Sequence, residues 1–145
     1  MAFWAEEMQQ KLHQGHDALT VLTEATQKAR ASGHHFGSAT ITEALDDLAD
    51  EVAELKQAVL EEKTDVRIRN EAGDVLFSLL NICQMQDLDL QKATDAFAKR
   101  WLDRKAFMER SLREKNYTWQ NMPHDVCENL WQQAKKELKP TEEAK

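Results

Sequence analysis

Four carboxylates in two pairs, Glu51/Glu54 and Glu71/Asp74, are spaced so that each pair projects from one face of a helix. One turn downstream of them stand Leu55, Ala58, Val75 and Ser78, none of them basic. An acid on a solvated helix face gains about 0.2–0.5 kcal/mol from a Lys or Arg one turn away. The second pair instead opens the run Val75-Leu76-Phe77-Ser78-Leu79-Leu80-Asn81-Ile82-Cys83, which is too apolar for a surface. Carboxylates that enter an apolar bundle must be protonated, paired or bound to a cation. If the two helices are antiparallel neighbours, all four acids can converge. A cluster of oxygen ligands suits Mg²⁺ or Mn²⁺ rather than zinc. The plainer alternative is four solvated acids in a chain with 26 Asp and Glu, and Arg67, one turn before Glu71, could neutralise that acid. A ferritin-like di-iron site needs Glu-x-x-His on two helices. The residues three before the histidines are Gln10, His13, Ala31, Ser32 and Asn121, so that competitor lacks its acids.

Two further pairs repeat a one-turn spacing. Arg100 and Arg104 share a helix face, and Arg suits bidentate phosphate recognition. Trp131 and Lys135 do the same further on. By residue type alone, two solvated arginines, a core tryptophan and a surface lysine are the favoured reading of both pairs. His13, His16, His34 and His35 read as surface histidines, and Gly-rich phosphate loops are absent.

These residues must be positioned by helices. Only four Gly and two Pro stand against 31% charged residues, which leaves little material for turns. A first helix is expected from Phe3 to Arg30, with Gly15 as a point of interruption and Gly33 in the left-handed position after it. Thr40 and Glu43 fit a capping box for the second helix. Its apolar residues Ile41, Leu45, Leu48, Val52, Leu55 and Val59 alternate spacings of four and three, the seam of a bundle helix. The third helix, Thr64 to Gln86, confines Glu71, Asp74, Ser78 and Asn81 to one strip and is otherwise apolar in its second half, as in a central helix. With Asp89 as N-cap, a fourth helix runs from Leu90 to Glu114, and Pro123 opens a last helix ending near Leu138. The expectation is an all-α antiparallel bundle of four to five helices in one domain, residues 1–138, with a polar tail over 139–145.

The bulk numbers exclude several function classes. A net charge of −7 disfavours nucleic acid and anionic membrane as partners, because both need a basic patch. No apolar run approaches the ~18 residues of a membrane span. Cys83 and Cys127 form no CxxC and read as reduced thiols, and the N-terminal residues lack the basic start of a signal peptide. A cytoplasmic location is expected.

The order of the pieces resembles the MazG family of all-α nucleoside triphosphate pyrophosphohydrolases, in particular the catalytic half of its tandem-domain members. The family's EExxE, spacer and ExxD is similar to Asp50-Glu51-Val52-Ala53-Glu54 followed by Glu71-Ala72-Gly73-Asp74. Its "KFxxRF" region is similar to Arg100-Trp101-Leu102-Asp103-Arg104-Lys105, and its terminal W-x-x-x-K to Trp131 through Lys135. The likeness covers roughly Ala18 to Glu137. Four departures stand out: Asp50 for the first Glu, Arg100 for Lys, Ala98 for an Asn, and Gly33-His34-His35-Phe36 for Gly-Phe-Asp-Trp.

The resemblance implies that Glu51, Glu54, Glu71 and Asp74 hold Mg²⁺, with Mn²⁺ as substitute, and carry catalysis. It implies that Arg100, Arg104, Trp131 and Lys135 bind a nucleoside triphosphate, which is cleaved to monophosphate and pyrophosphate. It also implies a homodimer or homotetramer in which the last helix completes a neighbouring site. A narrow-specificity relative (dUTPase-like or phosphoribosyl-ATP pyrophosphohydrolase-like) and a catalytically decayed nucleotide-binding dimer are the alternatives.

Overall fold

A computed structural model describes residues 3–33 and 39–139 of the chain. The altered positions His34, His35 and Phe36 and residues 140–145 of the tail lie outside them. Six α-helices and no strands make up the described residues: α1 (Ala5–His13), α2 (Ala18–Ala31), α3 (Ile41–Leu60), α4 (Asp65–Met85), α5 (Leu90–Glu114) and α6 (His124–Glu137). The count exceeds the expected four to five because the first helix is two. Gly15, at φ +87°, breaks it, and Asp17 restarts it by accepting from the Thr20 amide at 3.0 Å and the Thr20 hydroxyl at 2.9 Å. Those two bonds hold the Asp17 carboxyl below its ordinary pKa.

The other boundaries follow local chemistry. Glu43 donates its amide to the Thr40 hydroxyl at 3.2 Å and accepts from the amides of Ala39 and Thr40, closing the capping box of α3. Thr64 caps α4 by accepting from the Arg67 amide, and Asp89 accepts from the Gln91 amide at 2.8 Å where α5 begins. Gly33 takes φ +89° after α2, as a residue without Cβ can. Pro123 stands just before α6 rather than in its first turn.

The chain divides into two compact units, residues 1–91 and 92–145. In the first, α3 and α4 form a hairpin and pack along their length, α1 packs on α2, and α2 touches α4. Met8, Val21 and Ala25 are buried with Trp4 against them; Leu80, Cys83 and Leu90 form a second cluster with Leu19. Polar ties add direction: Lys11 pairs with Glu24, and Gln84 of α4 donates to the Thr23 carbonyl and to Thr26. Burial pushes the Cys83 thiol up, which makes it unreactive.

Two expectations need correcting. The α3 seam is only half covered: Ile41, Leu48 and Leu55 are partly buried, but Leu45, Val52 and Val59, seven residues apart, are each about 50% exposed. Nor is α4 enclosed, since Leu76 and Leu79 reach solvent.

The second unit has its own core. Met108 and Leu112 of α5 are buried against Leu130 and Ala134 of α6, with Phe107, Tyr117, Met122, Val126, Cys127 and Trp131 around them. Cys83 and Cys127 are both free, and no helix among the described residues is long and apolar enough to cross a membrane.

Candidate metal centre and cation cluster

The α3–α4 hairpin brings acids from both helices together. Glu51, Glu71 and Asp74 each offer a carboxylate oxygen within 4.8 Å of the others. Glu71 is 2% exposed, Glu51 is half-buried and Asp74 is exposed, so the cluster runs from interior to surface. The fourth predicted ligand, Glu54, is exposed and outside that three-way convergence; it lies against Glu51 and lines the same cleft.

Glu71 has a basic neighbour after all. Arg67, one turn upstream, pairs with its Oε1. The pair is half an answer, because Glu71 Oε2 is buried and has no hydrogen-bond partner among the described residues, and Glu51 Oε2 is in the same state. A buried carboxylate oxygen without a donor costs about 1–3 kcal/mol, and more when charged. Partial burial, then the Glu54 and Asp74 carboxylates, with Glu71 a smaller contributor, push the Glu51 pKa above its ordinary value. The arrangement therefore lacks both hydrogen-bond donors and positive charge.

The adjoining cleft, about 380 Å³, has one sign of charge. Asp47, Asp50, Glu51 and Glu54 line it from α3, and Phe77, Ser78 and Asn81 from α4. Among the described residues no Lys or Arg lines it. The predicted polar strip of α4 thus has two roles: Glu71 and Asp74 join the acid cluster, while buried Asn81 accepts from Arg30 of α2. Sequence reasoning missed Arg30, since nothing local signals a bond between residues 51 positions apart. All-oxygen donors and unpartnered buried oxygens fit a hard divalent cation.

The second unit gathers positive charge. Arg104 lies over the Trp131 ring at 5.5 Å from its centroid and Lys135 at 5.8 Å. Arg100, predicted alongside Arg104, stacks on Phe97 instead at 5.3 Å. Trp131 is both core wall and cation platform, and Lys135 is half-buried rather than free on the surface. Lys105 is the residue that sequence reasoning passed over. Its ammonium is 4.8 Å from the Trp131 centroid and 5.3 Å from those of Trp101 and Trp119. The one-turn spacing of Trp101 and Lys105 could have signalled the first of these contacts; the other two join separate segments.

Residues 39–106, just under half of the chain, match the sequence model of the MazG nucleotide pyrophosphohydrolase domain. The match contains all four carboxylates, Arg100 and Arg104, and stops short of Trp131 and Lys135. The chain is also similar to the nucleoside triphosphate pyrophosphohydrolase/pyrophosphatase MazG of Thermotoga maritima, with 25% identity over 88 residues. That alignment covers 61% of this chain and 33% of the relative, so the chain spans about a third of the length of the curated protein it matches. No solved structure gives a significant match.

Proposed function

We propose that this chain is a Mg²⁺-dependent nucleoside triphosphate pyrophosphohydrolase that cleaves between the α and β phosphates, releasing monophosphate and pyrophosphate. The observation that carries this reading is the convergence of Glu51, Glu71 and Asp74 within 4.8 Å, with two buried oxygens lacking donors. Bound there, Mg²⁺ would neutralise charge on the phosphate chain and lower the pKa of the attacking water. Glu54, exposed beside the cluster, takes the proton from that water as general base. Arg67 stays on Glu71 and holds that carboxylate in place. Arg100, Arg104 and Lys135 bind the triphosphate and stabilise charge as it moves to the leaving pyrophosphate.

The active form is a homodimer or homotetramer. Support comes from Leu45, Val52 and Val59, a stripe of heptad spacing left about half exposed, with Leu76 and Leu79 on the companion helix. A second copy of the same hairpin has matching periodicity and would cover it.

The reading is tested by assaying pyrophosphate release with Mg²⁺ across canonical and damaged nucleoside triphosphates. The expected result is release from at least one of them and its loss in Glu54→Ala and Asp74→Ala. Full release by both variants would refute the metal-site assignment. The same panel separates a general enzyme from a dUTPase-like or phosphoribosyl-ATP-like one.

A further inference from the structure

The chemistry proposed above leaves Lys105 without a task, yet among the described residues no cation in the second unit is held by more aromatic rings. Trp101 reaches it from the same helix, Trp119 from the loop before α6, and Trp131 from α6 itself. Trp119 is anchored in turn, its indole N–H donating to Glu109 Oε1 at 2.9 Å. Aromatic faces stabilise an ammonium in its charged form and fix its position, but they accept none of its three N–H donors in the way an oxygen does. Among the described residues Lys105 makes no hydrogen bond and joins no ion pair. The nearby acids are engaged elsewhere, Asp103 with Lys99 at 2.7 Å and Glu109 with Trp119.

Arg104 and Lys135 share the Trp131 ring with Lys105 and likewise have no carboxylate partner among the described residues. Arg104 Nε is buried with no acceptor. Three cations thus surround one indole, uncompensated, in a chain of net charge −7. Like charges gathered around one ring repel, and a multivalent anion can meet all three at once.

We propose that Lys105 is a substrate-binding residue whose ammonium, fixed by Trp101, Trp119 and Trp131, contacts the same oligophosphate chain as Arg104 and Lys135. The inference rests on the pyrophosphohydrolase reading for the identity of the substrate, and its own claim, binding of an oligophosphate, is independent of turnover.

The test is calorimetric titration with inorganic triphosphate in the presence of a chelator. Lys105→Met, which keeps the length of the side chain and removes its charge, should bind about tenfold more weakly than wild type. Lys105→Arg and the surface control Lys136→Met should stay close to wild type. Equal affinity in Lys105→Met, an equal loss in Lys136→Met, or no binding by wild type would each overturn the proposal. A measurement on wild-type protein covers the case in which Lys105→Met does not fold. Acetylation of Lys105, followed by peptide mass spectrometry, should slow when triphosphate is present while that of Lys136 does not. An unchanged Lys105 rate counts against the proposal. Should triphosphate binding depend on Lys105 while no nucleotide yields pyrophosphate, the anion site stands and the hydrolase reading falls. If hydrolysis is normal and Lys105→Met binds and turns over like wild type, the hydrolase reading stands and this inference falls.

Discussion

The acid cluster of the first unit and the cation cluster of the second hold unpaired charge by opposite means. Glu51 and Glu71 bury oxygens that have no donor, with Arg67 satisfying only one end of Glu71. Arg104, Lys105 and Lys135 rest on indole faces, which stabilise a cation by about 0.5–1 kcal/mol each without consuming its hydrogen bonds. The difference teaches which cluster needs its ligand. Buried carboxylates carry a desolvation cost that only a cation removes, so the first unit should be strained when empty and gain stability from metal. The stacked cations tolerate emptiness, so the second unit should gain affinity for an anion with little change in stability.

The largest expected effect separates the two clusters on the acid side. Asp74→Ala should lower turnover by about 100-fold or more and abolish the rise in thermal midpoint that Mg²⁺ gives the wild type. A variant that kept that rise would show that the metal binds elsewhere. On the cation side, Arg104→Ala should lower turnover by about 10–100-fold while leaving the Mg²⁺-induced rise intact. Loss of both together would make Arg104 a structural partner of Trp131 and erase the contrast. Val52→Glu places a charge in the exposed heptad stripe and should shift the assembly toward monomer in sedimentation analysis, by more than the same change at exposed Lys56. No shift at position 52 would mean that the stripe is not an interface.

The smallest effect concerns pH. Burial, Glu54 and Asp74 raise the Glu51 pKa above its ordinary 4.5, so the folded protein holds a proton that the unfolded chain releases. Stability from this group therefore falls as pH rises from the ordinary value through the raised one. In chelator, Glu51→Gln should be more stable than wild type at neutral pH, and the gap should close as pH drops toward that ordinary value. Denaturation midpoints across pH test this, and a gap that widens on acidification would show that Glu51 is already paired.

Much of the fold was legible because helix ends are local events. Thr40 with Glu43, Asp89 and Gly33 each set a boundary through residues within one turn and act as their sequence implies, while Thr64, expected as the first residue of its helix, caps it instead. The acid cluster was legible in part, since one-turn spacings place Glu71 and Asp74 on a strip without saying which is buried. That outcome depends on packing: Glu71 turns inward at 2% exposed while Asp74 remains at the surface. The Arg30–Asn81 bond and the three rings around Lys105 were beyond reach, because each joins segments that only the fold brings together. The seam of α3 is apolar throughout, but periodicity does not distinguish the face that Ile41, Leu48 and Leu55 bury from the one that Leu45, Val52 and Val59 leave half exposed.

The most direct test of the central claim is a titration of the metal-free protein with Mn²⁺, followed by electron paramagnetic resonance, comparing wild type with Glu71→Gln and Asp74→Asn. Saturable binding by wild type, weakened about tenfold or more in each variant, is the predicted result. Binding that is absent in wild type, or equal in all three proteins, would contradict a metal centre at Glu51, Glu71 and Asp74.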